Sequence, residues 1–299
     1  MGESQMHVAT FLDHRRYVET PSGRIAYVEM GEGPVVLFVH GVFLNGLLWR
    51  PVMERLAGEY RCLALDILCH GATETPSDQD VSFAANARML EEFCAALGIG
   101  SCHLVANDSG GGIAQIFAAN HPERIDSLVL TNCDVHDMWP PEPIKPMKQM
   151  IAQQGFAAVA GELGKDPATA REAFAVGFED PGILGEEELA AYLGPLSASP
   201  ERAELMTRFF ASMNPADTMS VESRLRQLRA PTLIVWGTAD VFFGIECARW
   251  LEDTIPGARP VVQVPGAKLF FPRERPDELV PLLHRHWKDA GTRPSAASA

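Results

Sequence analysis

Leu104-Val105-Ala106-Asn107-Asp108-Ser109-Gly110-Gly111-Gly112 reads as an apolar strand that runs into a glycine-rich turn and then into a helix. A strand-to-helix turn this sharp pushes one side chain out at its apex. It needs small residues two positions before and two after the apex, because the surrounding backbone leaves no room there. With Asp108 at the apex, Ala106 and Gly110 fill those slots; with Ser109 there, Asn107 falls where a small residue is wanted. The reacting side chain is therefore read as the Asp108 carboxylate, with the Ser109 register as the weaker alternative. The three glycines also allow the helix to approach the sheet, and no Lys-Ser/Thr pair follows them to make a phosphate-binding loop.

Working outward, β-rich runs at 25–29, 35–39, 61–65, 103–107, 127–132, 232–236 and 260–264 alternate with helical patterns such as 83–97. That alternation predicts an α/β fold with a mostly parallel central sheet covered on both faces. Continuous apolar runs such as Val35-Val36-Leu37-Phe38-Val39 suit strands buried on both sides. The alternation stops after His136. Helical stretches at 186–193 and 200–213 follow, and the segment opens on Trp139-Pro140-Pro141-Glu142-Pro143, which cannot continue a strand. The expected organisation is a core of residues 1–136 and 230–299 with a helical cap inserted over 137–229. Met138, Met147, Met150, Phe156, Phe174, Phe178, Phe209 and Phe210 are spread through the insertion, most of them expected to pack its helices and a minority to line a pocket.

The 299 residues are 46% hydrophobic, enough for one large core, and the net charge of -14 repels nucleic acid and anionic membrane. The six cysteines form no C-x-x-C pair and read as reduced thiols. No apolar targeting segment opens the chain and no run reaches membrane-spanning length, so a cytoplasmic enzyme without cofactor, monomeric or homodimeric, is expected. Residues 288–299 are small and polar and are expected to form a disordered tail.

From 18 to 287 the order of motifs resembles the α/β-hydrolase fold with a helical cap, in its aspartate-nucleophile form typified by haloalkane dehalogenases and epoxide hydrolases. His40-Gly41 after the strand 35–39 is similar to the oxyanion-loop signature. Asp66-Ile67-Leu68-Cys69-His70-Gly71 resembles the aspartate-x-x-glycine-histidine-glycine turn with Cys69 at the glycine, and Trp236-Gly237-Thr238-Ala239-Asp240 resembles the strand and turn that present the acid. The resemblance implies Asp108 as nucleophile, Asp240 as the acid that orients a histidine, and the backbone N–H groups of Val42 and Ser109 as the oxyanion hole. It also implies a pocket bounded by Phe43, Leu47, Trp49, Asn107, Trp139, Val241, Phe242 and Leu269, suited to a small, neutral, partly hydrophobic substrate.

The pattern breaks at the histidine. Aligning Gly266-Ala267, Phe270 and Glu274-Arg275-Pro276 with the usual context places Leu269 at that position. An aspartate can form an ester by displacement unaided, but hydrolysing the ester needs water activated by a base. His136, just beyond the strand 127–132 and flanked by Asp134 and Asp137, is the candidate for a displaced base, its alternative role being a hydrogen bond at the cap hinge; Lys268 is a weaker candidate.

The familiar auxiliary groups are missing too. Ser109 stands where haloalkane dehalogenases carry a halide-holding tryptophan, and Tyr192 is the single tyrosine of the insertion, where epoxide hydrolases use a pair. No arginine lies between Asp108 and His121 to clamp a small anion. Hydrolysis with a non-standard base is the leading expectation. The alternatives are lyase, isomerase or cyclase chemistry with Asp108 as general acid or base, and a ligand-binding protein without catalysis.

Overall fold

The computed structural model describes residues 6–164 and 166–291. Eight strands form one sheet: β1 (Arg15–Thr20), β2 (Gly23–Met30), β3 (Val35–Val39), β4 (Arg61–Leu65), β5 (Cys102–Asp108), β6 (Ile125–Cys133), β7 (Thr232–Gly237) and β8 (Val262–Val264). Their spatial order is β1-β2-β4-β3-β5-β6-β7-β8. β1 and β2 pair antiparallel, as do β2 and β4, and every other pairing is parallel. The α/β expectation holds. The sequence reading lacks β1, whose alternately half-buried and exposed residues form an edge ribbon with little apolar signal.

The central strands are apolar through their middles because helices cover both faces. Leu104, Val105 and Ala106 of β5 are fully buried, as are Val36 to Val39 of β3. Helix Phe83–Ala96 starts at Ser82, whose hydroxyl caps the Ala85 N–H, and it matches the expected helix to within a residue. Between β6 and β7 the described residues form helices only, the longest being Lys145–Gln154 and Pro200–Ser212. This helical insertion rests on the core partly through rings: Phe43 packs on Phe156 and Phe210 with centroids 6.2 and 5.5 Å away.

The six cysteines are buried and unpaired, and no described helix is long and apolar enough to cross a membrane. The carboxy-terminal expectation is corrected in part, because helix Pro276–Gly291 takes in 288–291. Its apolar residues Leu279, Val280, Leu283 and Trp287 recur at helical spacing and are buried, and that packing carries the last turns. The rest of the expected tail, 292–299, lies outside the described residues.

In a parallel sheet the carboxyl ends of the strands open on the same side, which is where ligands bind in open α/β folds. β3 leads there into His40-Gly41-Val42, β5 ends at Asp108, β6 runs into Asp134, and β7 leads to Asp240.

Candidate active site

Asp108 has φ 55° and ψ −133°, a conformation costly for a residue with a side chain, and helix Ser109–Asn120 starts immediately after it. The small residues around it are sterically required. A Cβ on Gly110 would fall 2.5 Å from the carbonyl oxygens of Val39 and His40, and one on Gly41 would fall 2.0 Å from Asp108 Oδ2. The positive φ thus falls on Asp108, one residue before the helix starts at Ser109. The Asp108 carboxyl is turned toward the loop after β3, where the Val42 N–H donates to its Oδ2 at 3.0 Å; the Ser109 N–H donates to the same carboxyl.

Two further carboxyls close on this point. Asp134 is 2% exposed, receives the Ser109 hydroxyl, and has its backbone N–H on the Asp108 carbonyl at 3.4 Å. Asp240 accepts the Asn132 amide at 2.8 Å and the Phe242 N–H at 2.8 Å. Burial drives all three toward the neutral form. It lifts Asp134 to about 7 and Asp240 to about 6. Asp108 is pushed well above the ordinary carboxyl range by its own burial and then by the charges of Asp134 and Asp240, against the pull of its two N–H donors.

Asp108 and Asp134 share the wall of a cavity of about 160 Å³ between core and insertion. The rest of the wall is mainly apolar, with Phe43, Phe242 and Leu269 facing Ile144, Met147 and Phe174, and among the described residues it contains no lysine, arginine, histidine or tryptophan. Of the expected pocket residues, Phe43, Phe242 and Leu269 are therefore there. So are Val42 and Ser109 of the expected oxyanion hole, and Met147 and Phe174 of the aromatic and methionine residues in the insertion.

Five expected pocket residues are elsewhere. Leu47 and Trp49 are core, Trp49 packing on Phe38 at 5.1 Å, because the loop after β3 turns into a short helix that folds them under the sheet's end. Trp139 stacks on Phe83 at 4.3 Å and gives its N–H to the Thr218 hydroxyl at 2.6 Å. Asn107 is held away from the cavity wall, donating to Thr131 Oγ1 and to the Leu269 carbonyl, both at 3.0 Å. Val241 is 56% exposed.

The displaced-base expectation for His136 is also corrected. Its ring nitrogens meet Asp137 Oδ1 at 2.9 Å and Glu222 Oε2 at 3.0 Å, and the ring stacks on Trp250 at 4.6 Å. A φ of 50° at this residue turns it into the hinge of the insertion, and it takes no part in the cavity wall. Lys268 is engaged likewise, with Nζ on the Ala175 carbonyl at 2.9 Å. Tyr192 is buried with its hydroxyl on Glu188 at 3.2 Å, so it supplies no acid to the cavity.

The residue that sequence reasoning undervalued is Asp134, noted only as a neighbour of His136. Its signal lay in the third glycine. A Cβ on Gly112 would sit 3.2 Å from the Asp134 Cβ and 2.9 Å from the Phe83 ring, so this glycine admits the carboxyl-bearing residue beside the elbow.

Comparison with known proteins identifies the family. The model of the "alpha/beta hydrolase fold" family matches residues 34–272. Haloalkane dehalogenase 2 of Mycobacterium tuberculosis is 28% identical over 278 residues, 90% of this chain and 93% of that protein. Epoxide hydrolase 1 of Caenorhabditis elegans is 25% identical over 288 residues, 91% of this chain and 69% of that one. Among solved structures, haloalkane dehalogenase DbeA of Bradyrhizobium elkani superposes with a TM-score of 0.77 at 21% identity, over 93% of this chain and 98% of that one. With haloalkane dehalogenases and epoxide hydrolases among its relatives, the chain belongs to the α/β hydrolase fold family of enzymes.

Proposed function

We propose that this enzyme is a hydrolase that attacks a small, neutral, partly hydrophobic electrophile with Asp108 and releases the product by hydrolysing the resulting aspartyl ester. One observation carries the reading: the backbone donor of the loop after β3 holds an oxygen of Asp108 itself, at 3.0 Å from Val42 N to Oδ2. When an aspartate is the nucleophile, the oxyanion of the second step forms on its own carboxyl carbon as water adds to the ester. A donor already set on Oδ2 is preorganised for that charge. Oδ1 is then the attacking atom.

The cavity supports the substrate class. Its apolar wall suits a hydrophobic body, and carboxyls without a neighbouring cation disfavour an anion. Epoxides and haloalkanes, the compounds named for the relatives above, are the first electrophiles to try.

A second reading follows from the lack of any imidazole in the cavity wall: Asp108, made less acidic by burial, exchanges protons with a substrate that is isomerised, cyclised or cleaved without water. Turnover of a panel of epoxides and haloalkanes in 18O-water separates the two. A covalent aspartyl route incorporates 18O into the Asp108 carboxyl over repeated turnovers and yields a transient adduct on its peptide. Product formation with neither adduct nor label in Asp108 would overturn that route in favour of proton transfer.

A further inference from the structure

We propose that Asp134 is the acid–base residue of this site, donating a proton to the oxygen that leaves carbon and later taking one from the water that attacks the Asp108 ester. The inference rests on the covalent reading above and supplies the group that reading lacks.

Three observations support it. Asp134 borders the same cavity as Asp108, whereas His136, Lys268 and Tyr192 are turned to other partners. Its position is fixed, since the Gln115 amide donates to the Asp134 carbonyl at 2.8 Å and the Asp134 N–H is directed at the Asp108 carbonyl. Its carboxyl has one neutral donor in the Ser109 hydroxyl and no cation, so it can carry a proton where an exposed aspartate would not. Asp240 is less suited, because both its oxygens are taken by Asn132 and Phe242 and it does not border the cavity.

The steps balance for a three-membered cyclic ether. The two neighbouring carboxyls together carry one proton, and the form that reacts has it on Asp134: Asp108 Oδ1 bonds to a ring carbon, the carbon–oxygen bond breaks, and the leaving oxygen takes the Asp134 proton. A hydroxyalkyl ester and an ionised Asp134 result. Water then gives a proton to Asp134 as its oxygen adds to the ester carbonyl, and the oxyanion on Oδ2 is held by the Val42 and Ser109 N–H groups. Collapse expels the alkoxide, which takes the proton of the newly formed Asp108 carboxyl. The diol leaves, and both residues are back in their starting forms.

An oxygen leaving group needs the first proton and a halide does not, so the two probe classes separate the two roles. We would compare wild type, Asp134→Asn and Asp134→Glu with styrene oxide and 1-bromohexane by rapid-quench intact mass spectrometry. In Asp134→Asn, ester formation from the epoxide should fall by about 10²-fold or more, while the bromide still alkylates Asp108 and leaves an ester that persists. Asp134→Glu, which keeps the carboxyl, should retain both steps to within about tenfold.

Asp134→Asn that forms and clears both esters at wild-type rates overturns the proposal, as does Asp134→Glu failing in the same way as the asparagine variant. If wild-type enzyme opens the epoxide without ever labelling Asp108, the covalent reading fails by itself; loss of that turnover in Asp134→Asn would still support Asp134 as the acid.

Discussion

The Asn107 side-chain amide donates to the Leu269 carbonyl at 3.0 Å, so the residue preceding Asp108 is tied to the residue that the motif spacing leads one to expect at the histidine position. The tether uses the backbone of residue 269, which leaves its side chain replaceable. That side chain borders the cavity together with Asp108.

Leu269→His should therefore bring an imidazole to the carboxyl without loosening the loop. In an Asp134→Asn background, adding Leu269→His is expected to shorten the lifetime of the Asp108 ester by about 10²-fold, the usual contribution of a placed general base. Rapid-quench mass spectrometry reads the lifetime directly. An unchanged lifetime, with a crystal structure placing the ring in the cavity, would mean that deacylation here is not limited by the base.

Asp134 also makes stability depend on pH. Its folded pKa of about 7 lies above the ordinary 3.8, so folding favours the protonated form. Its contribution is full below the unfolded pKa and is lost as pH rises through about 7. Asp134→Asn removes the ionisation and keeps an acceptor for the Ser109 hydroxyl. Urea unfolding should show the variant more stable than wild type by about 2–4 kcal/mol at about pH 8, with the difference vanishing near pH 4. A variant destabilised at the higher pH would show instead that folding favours the ionised form of Asp134.

His136→Ala tests the corrected assignment. The ring joins Asp137 and Glu222 at the start of the insertion and takes no part in the cavity wall. Turnover should stay within about twofold of wild type, while the loss of one exposed and one part-buried polar contact and a stacked ring lowers stability by about 1 kcal/mol. A loss of kcat by two orders of magnitude, with the melting temperature unchanged, would return His136 to the chemistry.

The boundary between what the sequence carried and what it did not follows the range of the interactions. The turn at Asp108 and the strands around it depend on spacing within a few residues, where small residues and apolar runs leave a pattern. The cavity wall depends on where the loop after β3 turns and how the insertion docks. Trp49 and Trp139 were expected in the pocket from their places on the loop after β3 and at the cap hinge, yet each found a ring partner in the core, Phe38 and Phe83. His136 looked well placed because it follows β6, but its left-handed backbone and two carboxylate partners carry the ring to the hinge. Asp134, two residues earlier, stays at the strand end and keeps the inward direction.

The insertion is held to the core at Glu188, whose two oxygens are shared by Arg50 and Arg273. Arg273 donates from Nε to Oε1 at 2.7 Å and from Nη2 to Oε2 at 2.9 Å, while Arg50 Nη2 reaches Oε2 at 3.2 Å. All three residues are buried, so removing the carboxylate charge strands two guanidinium groups in a dry environment. Glu188→Gln should cost about 3–5 kcal/mol in thermal or urea unfolding. Replacing Arg50, Glu188 and Arg273 together by Met, Leu and Met should cost less than that single change, because no charge is then left unpaired. The cluster does not border the cavity, so both variants should keep wild-type initial rates at temperatures where they remain folded. A triple variant less stable than Glu188→Gln would show that this cluster contributes net attraction beyond its desolvation cost.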